Sequence, residues 1–212
     1  MAQSCSTTNC PLKGIYGPIA GWCTADVTDM SSLFSTDRNA ALSSFNSDLT
    51  GWNTAKVTTM QNMFRGAASF NGDVSTWDMT SNGSMVNMFR NSGFNRDVTA
   101  WKDTFGSVTG FRDMFRSSSF NLDLCGWSDN FPYATANVAG MFLATSCPNA
   151  ADPTQGNGGP FCFDCSQVSY IHFCIHRICP CAGALLLLSL FCEGTWPKPY
   201  TTSNSQLWTC VF

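Results

Sequence analysis

The chain has 212 residues, of which 44% are hydrophobic and only 12% are charged, with a formal net charge of -3. One or two domains fit this length, and a chain this apolar can bury a sizeable core. The acidic balance provides no basic surface for nucleic acid, so a nucleic-acid partner is not expected. Both histidines, His172 and His176, lie near the C-terminus. Most acid–base and metal chemistry is therefore not expected in the first 171 residues, and we predict neither an enzyme nor a cofactor.

The cysteines cluster at two places and are absent from residues 24–124. This distribution is typical of disulfides that close both ends of a repetitive middle, and it favours an oxidising, extracellular or cell-surface location. The candidates are Cys5, Cys10, Cys23, Cys125, Cys147, Cys162 and Cys165, and the first pairing that we predict is Cys125–Cys147. Residues 1–20 lack the basic start and apolar core of a secretory signal, so we expect a fragment of a longer precursor.

An internal repeat dominates the sequence. The tryptophans Trp22, Trp52, Trp77, Trp101 and Trp127 are 30, 25, 24 and 26 residues apart. A Phe-Asn-x-Asp motif precedes each of the last four, beginning at Phe45, Phe70, Phe94 and Phe120. A Leu-Phe or Met-Phe pair follows each tryptophan and ends at Phe34, Phe64, Phe89, Phe115 and Phe142. The Phe-Asn-x-Asp motif and the Leu-Phe or Met-Phe pair recur with the same period as the tryptophans, which indicates stacked structural units.

One repeat predicts a short helix followed by a short strand. Val57, Met60 and the pair Met63/Phe64 fall on one face of about two helical turns, with Thr54 as its N-cap. The alternation of residues 70–74 is typical of a strand. Neither element is stable alone, so the repeats must stack. The predicted core contains the tryptophans Trp52, Trp77, Trp101 and Trp127 and the phenylalanines Phe64, Phe89 and Phe115.

The asparagines of the repeat form a second set of predicted structural residues: Asn46, Asn71, Asn95 and Asn121. Their spacing suits an interior ladder in which side-chain amides bond to the backbone of neighbouring repeats. The alternative is that each asparagine is only an exposed turn former.

The repeat resembles that of BspA-like leucine-rich-repeat surface proteins, whose repeats also occur in mycoplasma lipoproteins and in protist surface or secreted proteins. The pattern W-x-x-x-x-V-T-x-M-x-x-M-F-x-x-[A/S]-x-x-F-N-x-D-[V/L]-x-x-W is seen best in residues 52–77, and the resemblance covers about residues 15–165. Repeat 3 departs from it with Asn82-Gly83 in place of Val-Thr, and repeat 5 lacks the tryptophan–strand half. The resemblance implies a right-handed leucine-rich-repeat-like solenoid, extracellular placement, adhesion or recognition, and no enzyme activity.

We therefore predict an α/β fold, a right-handed leucine-rich-repeat-like solenoid of about five short helix–strand coils. Residues 1–21 form the predicted N-terminal cap, 22–150 the repeat solenoid, and 151–165 a cysteine-containing C-terminal cap. Residues 166–212 form an apolar, cysteine-rich tail, which is unrelated to the repeats and either poorly ordered or membrane-associated.

Two charged columns are the candidate binding residues. Asp48, Asp73, Asp97 and Asp123 share one repeat position, where they either accept N–H groups from the next turn or offer a ladder for Ca²⁺ or a basic partner. Arg65, Arg90 and Arg116 follow the Met-Phe pairs, where they either complement a helix dipole or receive sulfated or sialylated glycans. The tryptophans could alternatively form a carbohydrate-stacking stripe. Asn82-Gly83-Ser84 is the single N-glycosylation sequon.

Three interpretations remain open for the tail. Residues 170–192 are long enough to cross a bilayer, but only with His172, His176, Arg177 and Pro180 inside. A zinc site is arithmetically conceivable from Cys162 and Cys165 with Cys174, His176, Cys179 and Cys181, but its spacing fits no known knuckle, and we predict no metal. The third interpretation is a translated segment foreign to the fold.

The function expected from the sequence is that of a non-catalytic secreted or cell-surface recognition or adhesion module, which binds protein or glycan through a repetitive face. The alternative is a membrane-anchored structural protein of the cell surface.

Overall fold

Successive repeats lie directly on one another, and equivalent residues are joined across the stack. The computed structural model describes residues 18–105, 107–155 and 159–165, all within one compact unit of the chain. Parallel bridges join residues at equal repeat positions, in the order Asp29–Thr59, Thr59–Ser84, Ser84–Gly110 and Gly110–Asn137. Each bridge is an isolated pair rather than part of an extended strand.

Regular secondary structure is sparse. The elements are short 3-10 helices at Ile19–Gly21, Ala40–Ser44, Thr99–Thr104 and Cys125–Trp127. Across the residues that the structure describes, there is no α-helix and no β-strand longer than a single bridge. The predicted α/β, leucine-rich-repeat-like solenoid of helix–strand coils is therefore wrong. The repeats are built from turns instead.

The second half of each predicted helix and the residues just after it form a stacking segment, which we define as residues 30–36, 60–66, 85–91, 111–117 and 138–144 of the successive repeats. Within this segment, every second backbone N–H group donates to a carbonyl of the next repeat, and N–H groups between them donate to a carbonyl of the same repeat. Met60 and Asn62 donate to the carbonyls of Ser84 and Val86 in the next repeat, at 2.9 Å each, whereas Met63 donates back to Met60 at 3.1 Å. An α-helix would keep all these bonds within itself. Four of the six backbone bonds that residues 60–66 donate instead join neighbouring repeats.

Left-handed residues explain why no helix forms. Asn62 and Gly66 have φ of 57° and 76°, and the same two positions are left-handed in the following repeats, at Asn87, Asn91, Asp113, Ser117, Gly140 and Ala144. Left-handed backbone breaks a right-handed helix, and asparagine, aspartate and glycine adopt it most readily. One left-handed residue every four positions therefore closes successive turns in place of a helix.

The predicted inward face is correct although the helix is not. Val57, Met60, Met63 and Phe64 are all 0% exposed. The Phe64 ring stacks on Phe70 of its own repeat at 3.8 Å between centroids, and on Phe89 of the next repeat at 5.6 Å. This arrangement recurs along the stack, so a continuous column of aromatic rings forms the core.

The other local predictions for this repeat need correction. Residues 70–74 are not a strand, although Phe70 and Val74 are buried. Thr54 does not cap a helix: its hydroxyl donates to the carbonyl of Asp78 at 3.0 Å and accepts the N–H of Asp78 at 2.8 Å. Thr54 therefore joins two repeats.

No helix within the described part of the chain is long and apolar enough to cross a membrane. The candidate span 170–192, the tail 166–212 and Cys5 and Cys10 lie outside the described residues. The boundaries of the caps and the repeat region stay predictions.

Candidate functional site

The aspartate column lies on the surface, and each carboxylate closes a local turn. Asp48, Asp73, Asp97 and Asp123 are all exposed. The Oδ1 atoms of Asp73 and Asp97 accept the N–H of the residue two positions later, at 2.9 and 2.8 Å. Asp48 and Asp123 do the same at 2.9 and 2.7 Å. The donors belong to the same repeat rather than to the next one, so this detail of the prediction is wrong.

For two of the four carboxylates, these bonds stabilise the charged form. The N–H of Thr50 and then its hydroxyl lower the pKa of Asp48 below its ordinary value, and Ser75 does the same for Asp73. Asp48 and Asp73 therefore stay ionised to lower pH than free aspartate.

The arginine column does not complement a helix dipole, because none of the short helices in the described residues ends at Arg65, Arg90 or Arg116; that explanation is wrong. Arg65 pairs with Asp37 at 2.7 Å. Arg90 and Arg116 both pair with Asp113, at 3.5 and 3.1 Å, and the Asp113 side chain is only 13% exposed. Since aspartates already neutralise these guanidinium groups, the column is a weak candidate for sulfated or sialylated glycans.

The tryptophans belong to the core. Trp52, Trp77, Trp101 and Trp127 are at most 4% exposed. Each indole N–H donates to a backbone carbonyl of the preceding repeat, as Trp101 does to Val74 at 3.0 Å. These four rings cannot form a carbohydrate platform on the surface. Their predicted structural role is confirmed.

The asparagines form the predicted ladder between repeats. The Oδ1 of Asn46 accepts the N–H of Asn71 at 2.9 Å, Asn71 accepts from Asn95 at 2.9 Å, and Asn95 accepts from Asn121 at 3.0 Å. The ladder is not in the interior, because Asn46 and Asn121 are exposed and the other two are half-buried. The bonding was predicted correctly and the location was not.

A shallow depression lies between two members of the aspartate column. It has a volume of about 250 Å³ and is lined by Asp73, Ser75, Arg96, Asp97 and Ala100. The guanidinium of Arg96 donates to the carbonyl of Asn71 at 2.9 Å. The depression is therefore lined by one cationic and two acidic side chains.

Two disulfides close the C-terminal end of the stack. They join Cys125 to Cys165 and Cys147 to Cys162, so the predicted pairing Cys125–Cys147 is wrong. Cys23 is also disulfide-bonded. Asp123 lies close to the sulfurs of Cys125 and Cys165, but sulfurs in a disulfide are not the thiolates that metals bind. The same bonds remove Cys162 and Cys165 from the zinc alternative.

Sequence reasoning missed two aspartates that the structure makes important. Asp113 is the shared partner of Arg90 and Arg116. Asp152 accepts the N–H groups of Gly140 and Met141 at the last repeat, at 3.1 Å each. Asp113 occupies the left-handed position held by Asn87 one repeat earlier, which is a signal that the sequence does carry. Asp152 lies outside the repeat pattern and has no such signal.

These columns define the chain as a repeat protein whose units stack in one direction and present identical exposed carboxylates. It belongs to the family described as "Mycoplasma protein of unknown function, DUF285", which matches residues 6–127 and 36–151. No curated protein and no solved structure matches the chain.

Proposed function

We propose that this chain is a non-catalytic recognition module of BspA-like surface type, which binds a basic protein surface through its aspartate column. The observation that carries the proposal is the repeated exposure of Asp48, Asp73, Asp97 and Asp123 on a scaffold whose large aromatic residues are used in the core. When charges repeat at a fixed spacing, several weak contacts act together and make binding specific.

Protein is favoured over glycan by the charges. The carboxylates of the column are exposed, whereas the arginines that a sulfated or sialylated glycan would need are paired with Asp37 and Asp113. The four tryptophans that a neutral glycan would need are buried. The net charge of -3 also favours a basic partner.

Secretion or surface display is part of the proposal. The disulfides Cys125–Cys165 and Cys147–Cys162 support it, because disulfides persist in oxidising compartments. Family membership is compatible with a surface repeat protein. The alternative of a membrane-anchored structural protein depends on residues 170–192, and partitioning of the full chain into a detergent phase would favour it.

The test uses Asp73→Asn and Asp97→Asn together. Asparagine keeps the oxygen that accepts the local N–H group but removes the charge, so the fold is preserved. The oxidised full chain is applied to arrays of basic proteins and of neutral, sialylated and sulfated glycans. We expect binding to basic proteins, and about a threefold to tenfold weaker affinity for the double variant, since each exposed charge contributes only a fraction of a kcal/mol to about 1 kcal/mol.

The matched control removes two exposed carboxylates elsewhere, with Asp103→Asn and Asp129→Asn. This control should bind as the natural chain does. If both double variants lost the same affinity, the effect would come from net charge rather than from the aspartate column. If the chain bound glycans alone, the proposal of a protein partner would be rejected.

A further inference from the structure

Three asparagines of the chain are directly followed by glycine, in the dipeptides Asn71-Gly72, Asn82-Gly83 and Asn157-Gly158. This dipeptide loses its side-chain amide more readily than other asparagine pairs, because glycine has no side chain to hinder attack by its own backbone nitrogen. The third dipeptide lies outside the described residues. The fold gives the other two opposite surroundings.

The dipeptide Asn82-Gly83 is shielded by the stack. Asn82 is 0% exposed, and it occupies the inward position that Val57 and Val108 hold in the neighbouring repeats. The N–H of Gly83 donates to the carbonyl of Thr58 in the preceding repeat at 2.8 Å. The nitrogen that would attack is therefore held in a bond between repeats, and burial keeps water and base away from the amide.

The dipeptide Asn71-Gly72 lacks both protections. Both of its residues are only half-buried. In the part of the chain that the structure describes, the N–H of Gly72 donates to no acceptor. The Oδ1 of Asn71 meanwhile accepts the N–H of Asn95 at 2.9 Å. That bond polarises the side-chain carbonyl and stabilises the negative charge that develops on Oδ1 when a nitrogen attacks the carbon.

The other ladder asparagines that accept this bond differ from Asn71 in the residue that follows them. Asn46 and Asn95 accept an N–H from the next repeat at 2.9 and 3.0 Å. They are followed by Ser47 and Arg96, whose side chains hinder the approach of the backbone nitrogen. Within the ladder, Asn71 alone combines the bond with a following glycine.

We propose that Asn71 is a site of spontaneous deamidation in the folded chain, and that Asn82 is not. Hydroxide removes the proton of the Gly72 N–H. This nitrogen then forms a bond to Cγ of Asn71, and the side-chain amide leaves as ammonia. Water opens the resulting succinimide at either carbonyl, which gives aspartate or isoaspartate at position 71. Aspartate adds a negative charge two residues before Asp73, whereas isoaspartate lengthens the backbone by one carbon within the ladder.

The test uses the oxidised full chain, incubated in mildly alkaline buffer either folded or in guanidinium. Peptide mapping by mass spectrometry follows the mass gain of deamidation at each asparagine. In the folded chain, Asn71 should convert about tenfold faster or more than Asn82, because reaction at Asn82 requires the stack to open locally. Asn95 should also convert more slowly than Asn71. In guanidinium, Asn71 and Asn82 should convert at similar rates, since each is followed by glycine.

Gly83→Ala is the matched control, because a Cβ at this glycine meets only the carbonyl oxygen of Thr58, in an ordinary contact of 3.6 Å. The variant should slow the conversion of Asn82 in guanidinium and leave that of Asn71 in the folded chain unchanged. The proposal is overturned if, in the folded chain, Asn71 converts no faster than Asn82 or Asn95. Conversion of Asn71 in guanidinium alone would also overturn it.

Discussion

Replacing Trp101 by phenylalanine tests how much the bond between a buried indole and the preceding repeat contributes to stability. Trp101 is 0% exposed, and its N–H donates to the carbonyl of Val74 at 3.0 Å. Phenylalanine removes this donor, but the carbonyl of Val74 keeps the N–H of Trp77 at 3.1 Å, so the lost bond costs about 1 kcal/mol. The smaller ring also leaves a cavity worth about 1–2 kcal/mol. We therefore expect the free energy of unfolding to fall by about 2–3 kcal/mol, a large part of the roughly 5–15 kcal/mol that stabilises a domain.

The assay is guanidinium unfolding of the oxidised chain, followed by near-ultraviolet circular dichroism. Trp22→Phe is the matched control: Trp22 is 40% exposed and stacks on Trp52 at the first repeat. We expect that control to lose about 1 kcal/mol or less. Equal losses in the two variants, or a loss below about 0.5 kcal/mol at Trp101, would refute a core in which each internal tryptophan joins two repeats.

Three further outcomes are expected. Asn71→Ala should lower the free energy of unfolding by about 1 kcal/mol in the same assay, because the N–H of Asn95 loses its acceptor; no change would make the ladder dispensable. Asp73 has a lowered pKa because Ser75 donates to it, so its contribution to stability is present above the unfolded pKa of about 3.9 and is lost as the pH falls through the folded value. The guanidinium concentration at the unfolding midpoint should therefore decrease as the pH is lowered from about 5 to about 2, and it should decrease less steeply for Asp73→Asn. Identical pH profiles of the two proteins would contradict this. Asn82 is 0% exposed and its side-chain nitrogen is buried, so folded protein from a eukaryotic secretory host should carry no N-glycan; a mass shift on glycosidase treatment would show otherwise.

The repeat period and the inward face could be read from the residue pattern. Large apolar side chains at equal positions in each repeat have few other ways to leave water than to stack on one another. Met60 and Phe64 are buried as their spacing predicts, and the asparagine bonds between repeats also follow from the repeated motif.

The backbone conformation was predicted wrongly because the same spacing suits two structures. Apolar residues at intervals of three and four describe a helix face, but they equally describe turns that each end in a left-handed residue. Asn62, Asn87 and Asp113 at equivalent positions carried the signal for the second structure. Asparagine and aspartate tolerate that backbone far better than most other residues.

Taken by itself, the sequence determined which residues repeat, which of them are apolar enough to be buried, and that the units depend on one another. Only the tertiary structure decided the disulfide pairing, the partners of Arg90 and Arg116, and the position of Asp152 at the last repeat. The physical reason is that burial depends on each residue alone, whereas pairing depends on residues that are far apart in the sequence. Burial follows from the apolar character of each side chain, whereas a cysteine or a carboxylate selects its partner by which backbone the completed stack brings within bonding distance.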